Sequence, residues 1–285
     1  MLKIAILGSG NIGTDLLIKV LRSPFLECTL FIGRNTDSPG MLKAKSLGVT
    51  ISALGIESIV KNPDCCDLVF DATTALSHMS HWPVLKKLGK IAIDMTPSRI
   101  GKIVVPAINL NEIKDCGNVN MISCGGQASI PLAYAMTQVQ KGIEYIEIVS
   151  SIASKSAGPG TRINIDEYIE NTEEGLRIFS GCKKVKVILI LNPAKPCLDM
   201  KTTVSAKVIN PDIEKIRIAI FDMEKKIQKY VPGYKIIVPP VYENNRIITM
   251  VRIRGLGDYL PSYAGNLDII NCAAIATAEE FARIA

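Results

Sequence analysis

Apolar residues in the first 124 positions of the chain fall into short β-branched runs that are separated by stretches with helical spacing. This alternation is typical of a parallel sheet whose strands are joined by helices. The pattern predicts strands at residues 3–7, 28–33, 50–52, 68–71, 91–95, 103–105 and 120–123. It predicts helices between them at residues 12–21, 41–47, 77–88 and 109–114.

The pattern changes near residue 125. It predicts helices at residues 129–140, 164–179, 213–230 and 267–284, and longer strands at residues 143–153, 185–191, 203–208, 234–238 and 246–254. Such strands favour a mixed or antiparallel sheet with helices on one face, and the alanine-rich last helix is expected to return to the first half. We therefore predict an α/β protein of two domains, one from residues 1–124 with 266–285 and one from residues 125–265.

Composition narrows the classes of protein to consider. Of the 285 residues, 48% are hydrophobic and 21% are charged, as in a folded globular protein. No apolar stretch approaches the ~20 residues that cross a bilayer, and the apolar run at the start is too short for a signal peptide, so we expect a cytoplasmic protein and no membrane partner. The net charge of +6 is dispersed, which favours phosphate-bearing small molecules over nucleic acid as ligands.

Metal chemistry is not indicated by the sequence. The eight cysteines lack the repeated C-x-x-C spacing of a zinc site, and without an export signal we expect reduced thiols. His78 and His81 are the two histidines of the chain and lie in one predicted helix. We interpret both as ordinary helix residues, because a metal site needs more ligands at a matching spacing.

A glycine motif joins the first predicted strand to the first predicted helix. The string Gly8-Ser9-Gly10-Asn11-Ile12-Gly13 has the G-x-G-x-x-G pattern. In this context Gly8 permits a tight turn, Gly10 lets the backbone approach a pyrophosphate, and Gly13 lets the helix pack closely on the strand. The motif predicts a Rossmann dinucleotide-binding domain.

The residue expected to meet the adenosine ribose follows the second predicted strand. An acid at this point would bind the 2′-hydroxyl group of NAD, but the chain has Arg34 here. Either Arg34 accommodates the 2′-phosphate of NADP, or the backbone and Asn35 hold the ribose, or Arg34 is a solvated surface residue. The choice between NAD and NADP stays open.

Cys124 is the cysteine for which a chemical role is indicated. It follows the strand predicted at residues 120–123, so residues 124–128 are expected to form the turn before the next helix. A helix N-terminus lowers the pKa of a thiol toward neutrality, and Gly125 and Gly126 leave space for a substrate and aim backbone amides at an oxyanion. We predict that Cys124 is a nucleophile and that the other cysteines are inert packing residues.

Four strings, in the same order, resemble those of the acetylating acetaldehyde dehydrogenases. They are the glycine motif, Ser123-Cys124-Gly125-Gly126-Gln127-Ala128-Ser129-Ile130-Pro131, Lys155-Ser156-Ala157-Gly158-Pro159-Gly160-Thr161-Arg162-Ile163-Asn164, and Tyr259-Leu260-Pro261-Ser262-Tyr263-Ala264-Gly265-Asn266-Leu267-Asp268. The resemblance spans nearly the whole chain. It implies a Rossmann domain plus an α+β catalytic and dimerisation domain of the semialdehyde dehydrogenase type.

The resemblance implies a reaction in which Cys124 carries an acyl group as a thioester. A short aldehyde, expected to be acetaldehyde, and coenzyme A would give acyl-CoA with reduction of NAD, or of NADP. Cofactor contacts are implied for Ser9, Gly10, Asn11, Ile12, Ser156, Ala157, Gly158, Pro159, Gly160, Thr161, Arg162, Ile163, Asn164 and Asn266, to which the strand pattern adds Arg34. The glycine-rich loop is suited to closing over a cofactor because glycine and proline cannot continue a strand.

The resemblance also implies partners. Members of the family commonly associate with a hydroxy-oxo-acid aldolase that supplies the aldehyde, which links the chain to aromatic hydrocarbon catabolism. We also expect a homodimer formed through the sheet of the second domain.

Two departures from the family pattern affect these expectations. Where the family usually has Arg-Asp-Thr, this chain has Lys201-Thr202-Thr203, so the aspartate thought to tune the cysteine is replaced by Thr202. Cys124 would then be activated by the helix terminus and backbone alone, or Asp199 would substitute, or the protein is slow or retargeted. The chain at residues 241–248 is also shorter than in many members of the family.

Two other functions remain open at this point. A semialdehyde dehydrogenase acting on a phosphorylated or amino-acid acyl group shares the fold and the nucleophile, but it ordinarily needs a histidine base in the second domain, and no histidine follows Gly125. A cofactor-binding partner or sensor that has lost catalysis is the second alternative, which the threonine at position 202 supports.

Overall fold

The computed structural model describes residues 1–158, 161–162 and 164–284, and the chain divides into two compact units. The first unit comprises Met1–Met121, Asp258–Leu260 and Asn271–Ala285, and the second comprises Ile122–Gly257 and Pro261–Ile270. The domain boundaries from the sequence concern which parts of the chain fold independently. They stay a prediction.

The first unit is built on a parallel sheet. In chain order its elements are β1 (Leu2–Leu7), α1 (Asn11–Arg22), β2 (Leu26–Ile32), α2 (Pro39–Ser46), β3 (Ile51–Ser52), α3 (Glu57–Lys61), β4 (Leu68–Asp71), α4 (Ala75–Lys87), β5 (Ile91–Asp94), β6 (Lys102–Ile103), α5 (Pro106–Asn109) and β7 (Asn118–Asn120). Within the described residues the sheet has seven strands in the order β3-β2-β1-β4-β5-β7-β6, and every neighbouring pair is parallel. This is the doubly wound arrangement that the glycine motif predicts.

The central strands of this sheet are buried along most of their length. All four residues of β4 are buried, as is β1 from Ile4 to Leu7, because a doubly wound sheet is covered on both faces. Charged groups enter this interior only in pairs. Asp15 of α1 accepts a hydrogen bond from Lys19 at 2.8 Å, and Lys19 binds Asp258 at 2.9 Å. This ion cluster ties the segment Asp258–Leu260 to α1.

The second unit pairs a mixed sheet with a layer of helices. Its elements are α6 (Cys124–Val139), β8 (Tyr145–Ala153), α7 (Ile165–Ser180), β9 (Val185–Asn192), β10 (Met200–Lys207), α8 (Ile213–Gln228), β11 (Tyr234–Glu243) and β12 (Arg246–Ile253). The strand order is β11-β12-β10-β8-β9, and among these neighbours only β8 and β9 are parallel. Buried residues alternate with half-buried ones along β8 and β12, so one face packs on helices and the other is more open. The predicted mixed sheet is confirmed.

The last helix, α9 (Gly265–Ile284), begins in the second unit and continues in the first. Ala273, Ala274 and Ala278 on this helix are fully buried, as expected for an alanine-rich helix that packs closely on its neighbours. Among the described residues, no helix has both the length and the apolar character needed to cross a bilayer.

Several predicted elements differ in the structure. The helix predicted at residues 129–140 begins at Cys124, because the Ser123 side chain caps it by accepting a hydrogen bond from the Gly126 amide at 2.9 Å. The turn predicted for residues 124–128 is therefore wrong. The helix predicted at residues 109–114 is replaced by the short α5 and a 3₁₀ turn at Leu110–Glu112, and the strand predicted at 120–123 ends at residue 120.

Candidate active site

A cavity of about 450 Å³ lies at the carboxyl ends of the central strands of the first unit. Its walls are formed by Leu7, Gly8, Ser9, Gly10, Ile32, Gly33, Arg34, Gly55, Ala72, Thr73, Thr74, Ser77 and His81. In a doubly wound sheet, ligands bind in the crevice where the strand order reverses, which here is between β1 and β4. The cavity is therefore where this fold binds a dinucleotide.

The glycine motif has a geometry that fits a pyrophosphate. Gly8 has a φ of +119°, and a Cβ there would lie 2.5 Å from the Ala72 carbonyl oxygen. A Cβ on Gly13 would lie 1.8 Å from the Gly8 carbonyl oxygen, so α1 can approach the loop only because that side chain is absent. A Cβ on Gly10 would meet nothing within 4 Å. The open space beside Gly10 and the N-terminus of α1, which has no side-chain cap, fit a phosphate group.

Three of the predicted cofactor residues, Ser9, Gly10 and Arg34, line this cavity. Asn11 and Ile12 form the first turn of α1, where their backbone amides are available. The Arg34 side chain is exposed and makes no hydrogen bond or ion pair with any residue that the structure describes.

Two residues near Arg34 have local structural roles. The Asn35 side-chain oxygen accepts a hydrogen bond from the Asp37 amide at 2.9 Å, so Asn35 belongs to a local turn. Gly40 was not identified from the sequence, yet a Cβ there would lie 2.2 Å from the Ser9 carbonyl oxygen. Gly40 therefore allows close contact with Ser9, which lines the nucleotide cavity.

Sequence reasoning missed a polar cluster at the same edge of the sheet. Asp71, the last residue of β4, is 2.9 Å from His78 Nδ1 and 2.8 Å from His81 Nδ1. His78 is fully buried, and His81 lines the cavity. Both histidines lie on α4, as predicted, but each also pairs with the buried carboxylate of Asp71, which the sequence did not indicate. Their spacing of three residues, shortly after an acid at a strand end, was the available signal.

The pKa values of Asp71 and His78 in this cluster are shifted in opposite directions. Burial alone would raise the pKa of Asp71, but hydrogen bonds from His78, His81 and Thr73 lower it to about 2. Burial alone would lower the pKa of His78, but its hydrogen bond to Asp71 and the charge of Asp94 raise it above the usual value of 6.5. The stabilisation from Asp71 is therefore lost as the pH falls toward 2, and that from His78 is lost as the pH rises through its raised pKa.

Cys124 occupies the first position of α6, where its side chain is half-buried. The Tyr168 hydroxyl group lies 3.9 Å from Cys124 Sγ, and the Gly125 amide also bonds to the sulfur. Burial raises the pKa of the Cys124 thiol to about 11, and these hydrogen bonds offset only part of the rise. The predicted pKa near neutrality is wrong, because the loss of solvation outweighs the effect of the helix terminus.

The segment before Cys124 is held by α7. Ile122 has a φ of +63°, which is a strained conformation for a β-branched residue, and its carbonyl accepts a hydrogen bond from Asn171 Nδ2 at 2.6 Å. The Ser123 hydroxyl lies 2.6 Å from that of Thr172. These contacts fix the start of α6.

The Gly126 amide does not have the role expected from the sequence. It donates to Ser123 Oγ, as part of the helix cap. The expectation that this amide binds an oxyanion is therefore wrong, since its hydrogen is already used. The Gly125 amide remains directed at the sulfur of Cys124.

The family aspartate position has a buried neutral residue in this chain. Thr202 lies on β10 with no exposed surface, and its Oγ1 is 3.0 Å from Ser150 Oγ on β8. Asp199 instead faces Arg252, with 3.9 Å between the carboxylate and the guanidinium group. Asp199, the residue that was expected to substitute for the family aspartate, is therefore already paired with an arginine.

The loop predicted to close over the cofactor is partly described. Ser156 is buried and donates to the Ala153 carbonyl at 2.8 Å, while Arg162 donates to the Ser154 and Ala157 carbonyls at 2.8 and 3.1 Å. Arg162 thus closes the loop upon itself. Ala157, Gly158, Thr161 and Asn164 belong to this segment as expected, whereas Pro159, Gly160 and Ile163 lie outside the described residues.

Asn266 is a predicted cofactor residue with an unusual environment. It lies at the start of α9 with 1% of its surface exposed. Its Oδ1 atom is buried without a hydrogen-bond partner among the described residues. Because a buried acceptor without a partner is costly, this oxygen is suited to accept a hydrogen bond from a ligand.

Comparisons with known proteins place the chain in a family. Residues 124–261 match the family model described as "Prokaryotic acetaldehyde dehydrogenase, dimerisation". The chain is 56% identical to an acetaldehyde dehydrogenase of Spirochaeta aurantia, over 100% of this chain and 96% of that protein. It is 54% identical to one from Pectobacterium atrosepticum, over 97% and 94% of the two chains. The chain belongs to the acetaldehyde dehydrogenase family. It is thereby an oxidoreductase, and the matched model supports assembly into a homodimer.

Two solved structures that share this fold are aspartate semialdehyde dehydrogenases. An aspartate semialdehyde dehydrogenase II from Vibrio cholerae superposes with a TM-score of 0.65 at 14% identity, over 100% of this chain and 98% of that one. One from Candida albicans, solved with NADP, gives a TM-score of 0.67 at 13% identity, over 98% and 99% of the two chains. These matches confirm the predicted fold class, and membership of a dehydrogenase family implies a nicotinamide cofactor.

Proposed function

We propose that this protein is an acylating acetaldehyde dehydrogenase in which Cys124 carries the acyl group. The observation that carries the proposal is the position of Cys124 at the N-terminus of α6, with the Tyr168 hydroxyl and the Gly125 amide both at its sulfur. Hydrogen bonds to the sulfur offset part of the rise that burial causes in the pKa of this thiol, and the thiolate is the form that attacks a carbonyl. Relatives named acetaldehyde dehydrogenase, at 47–56% identity, support the choice of aldehyde.

The reaction proceeds in two halves on one sulfur atom. Cys124 Sγ adds to the aldehyde carbonyl carbon, and the Gly125 amide beside the sulfur would donate to the oxygen that becomes negative. Hydride acceptance is the chemistry that a bound nicotinamide supplies. The resulting thioester on Cys124 is displaced by the thiol of coenzyme A, which restores the cysteine.

The test is formation of reduced cofactor by the purified protein. We expect absorbance from the reduced nicotinamide to rise only when acetaldehyde and coenzyme A are both present, with acetyl-CoA appearing in equal amount. Leaving out coenzyme A should stop turnover after at most one acyl group per chain. A protein that forms no acetyl-CoA with either cofactor would instead be a sensor or a retargeted relative.

The cofactor of this reaction binds in the cavity of the first unit. Ser9, Gly10, Asn11 and Ile12 would hold the pyrophosphate, since the loop and the α1 N-terminus offer free amides there. Contacts from Ser156, Ala157, Gly158, Pro159, Gly160, Thr161, Arg162, Ile163 and Asn164 stay predictions from the sequence resemblance, and Oδ1 of Asn266, which has no hydrogen-bond partner among the described residues, would accept a hydrogen bond from the cofactor. NAD is the expected cofactor, and NADP is accepted through Arg34.

Replacing Arg34 with alanine should weaken NADP binding about 10- to 100-fold and leave NAD binding nearly unchanged. The reason is that Arg34 is a cation in the cavity wall with no ion-pair partner among the described residues, and charge-assisted hydrogen bonds to a phosphate contribute about 1.5–3 kcal/mol. Calorimetric titration with each cofactor measures the ratio. Arg177→Ala removes an arginine that is paired with Glu173 on α7, and it should change neither affinity. Equal losses for NAD and NADP would contradict a 2′-phosphate contact.

The open face of the second sheet is our proposed dimer interface. Ile188, Val149, Thr203, Met250 and Val238 follow one another across the paired strands of this sheet. All five are half-buried or exposed in the single chain, as expected for apolar side chains that a second copy covers. The family model over residues 124–261, described as a dimerisation domain, supports this surface.

Introducing glutamate at Val149 should dissociate the dimer. A carboxylate at the centre of an apolar interface loses solvation without gaining a partner, so we expect the dissociation constant to rise at least about 100-fold. Sedimentation equilibrium measures this change. Ile218→Glu places the same charge on α8, where the side chain is 63% exposed, and should leave the dimer intact. If the Val149→Glu protein stays dimeric, the dimer interface lies on another surface of the chain.

An aldolase partner, a role in aromatic hydrocarbon catabolism and a cytoplasmic location stay predictions from the sequence resemblance. The chain itself supports them only through its membership of the family. Co-purification with a hydroxy-oxo-acid aldolase would test the partner directly.

A further inference from the structure

Three buried hydroxyl groups extend from Cys124 into the second unit. Tyr168 OH lies 3.9 Å from Cys124 Sγ, and the Tyr168 and Ser150 hydroxyl groups are hydrogen-bonded to each other. Ser150 Oγ is in turn 3.0 Å from Thr202 Oγ1. Tyr168 is 7% exposed, and Ser150 and Thr202 have no exposed surface. We call Tyr168, Ser150 and Thr202 the hydroxyl chain.

The direction of the hydrogen bonds in this chain depends on the state of the sulfur. Each hydroxyl group has one hydrogen to donate, and a thiolate can only accept. When Cys124 is ionised, Tyr168 donates to the sulfur, the Tyr168 oxygen accepts from Ser150, and Ser150 accepts from Thr202. Aligned hydrogen bonds polarise one another in a buried site, so each hydroxyl strengthens the donor nearest the sulfur.

We propose that Tyr168 is a positioning residue for the Cys124 thiolate, and that Ser150 and Thr202 hold its hydroxyl group in the donating orientation. The proposal rests on the proposed function, in which Cys124 is the nucleophile. It assigns a role to the threonine at position 202. Because an aspartate there would accept the hydrogen of Ser150, it would turn that hydrogen away from Tyr168, whereas Thr202 donates toward Ser150.

Outside α6, the hydroxyl chain is the principal polar contact of Cys124. From α7 the titratable side chain at the sulfur is Tyr168, β8 and β10 contribute the uncharged Ser150 and Thr202, and α6 contributes backbone amides. Among the described residues, the groups that act on the pKa of this thiol are the Tyr168 hydroxyl group and the backbone amides of Cys124 and Gly125. A hydroxyl chain stabilises a thiolate without taking its proton, so the proton leaves by another route.

The test is the pH profile of Cys124 alkylation in the full chain. Iodoacetamide modification of the peptide that contains Cys124 is followed by mass spectrometry at a series of pH values, without aldehyde or coenzyme A. Tyr168→Phe removes the donor and keeps the ring. We expect the midpoint to rise by about one pH unit, which means about tenfold less thiolate below the midpoint.

Matched variants separate the chain from a general loss of packing. Tyr145→Phe makes the same change on β8, where the hydroxyl group donates to Glu147 at 2.9 Å, and should leave the profile unchanged. Ser150→Ala should raise the midpoint by less than Tyr168→Phe does, and Thr202→Val should raise it by less than Ser150→Ala does. Thermal unfolding shows that each variant is folded. If Tyr168→Phe does not fold, Ser150→Ala still tests the proposal through the donor that it removes.

The outcomes distinguish this proposal from the proposed function. A Tyr168→Phe profile equal to that of the wild type overturns the positioning role, even when the wild type forms acetyl-CoA. A shift with Tyr168→Phe but none with Ser150→Ala and Thr202→Val overturns the extended chain. Absence of acetyl-CoA formation by the wild type overturns the function, whereas the alkylation profiles still report on the hydrogen bond.

Discussion

Replacing Cys124 with alanine should lower the rate of acetyl-CoA formation by on the order of 10⁴-fold or more. The substitution removes the atom that bonds to the acyl group, and no other described side chain at the start of α6 can replace it. Serine in place of Cys124 should be nearly as inactive, because its hydroxyl group ionises far less readily than a thiol. The initial rate of cofactor reduction, measured with acetaldehyde and coenzyme A at saturation, checks both variants.

The control for this loss is a second cysteine with a similar exposure. Cys116 is half-buried in the first unit and makes only a weak contact, 3.7 Å from its sulfur to the Glu112 carbonyl oxygen. Cys116→Ala should retain the wild-type rate. Cofactor titration and thermal unfolding should show that Cys124→Ala is folded. A Cys124→Ala protein with the wild-type rate would remove the covalent mechanism altogether.

The parts of the site that the sequence predicted are those whose requirements are local. Gly8 needs its positive φ for a turn of three residues, and Gly13 needs its missing side chain for contact with Gly8. Strand and helix neighbours of such a motif are visible as apolar runs, so the nucleotide cavity could be anticipated. Its other wall could not, because Thr73 and Thr74 lie in the loop between β4 and α4, and His81 lies on α4, at the far side of a crossover.

The parts that the sequence did not predict depend on contacts between distant residues. Gly125 and Gly126 are poor helix formers, which favoured a helix start at Ser129, but the Ser123 cap and the contacts with α7 override that preference. The pKa of the Cys124 thiol likewise depends on burial, which no local pattern reports. Tyr168 is 44 residues away in the chain, so its contact with the sulfur requires the fold.

The sequence does contain one pattern that could have indicated a polar contact of Tyr168. Tyr168, Asn171, Thr172 and Gly175 recur at helical spacing on α7, and all four are buried. Polar residues that repeat on the buried face of a helix are uncommon, because each needs a hydrogen-bond partner. Such a stripe indicates an internal polar network, although it does not identify the partner.

Replacing Gly125 with alanine should both destabilise the protein and impair catalysis. A Cβ at this position would lie 2.0 Å from the Tyr168 hydroxyl oxygen and 3.0 Å from its Cζ atom. Alanine favours a helix over glycine by about 1 kcal/mol, but forcing an atom into a packed site costs about 1–3 kcal/mol or more. We expect the clash to dominate, with a net loss of about 1–2 kcal/mol in the free energy of unfolding.

Gly125→Ala should also impair catalysis, because the displaced Tyr168 can no longer reach Cys124. We expect at least a tenfold fall in kcat with little change in cofactor affinity. Tyr168→Phe removes the oxygen at 2.0 Å but leaves the carbon at 3.0 Å, so it should relieve part of the clash. In denaturant unfolding, the double variant should then be more stable than the sum of the two single changes predicts. Additive changes would mean that Gly125 and Tyr168 do not share this space, and the contact between Tyr168 and the thiol would fall with it.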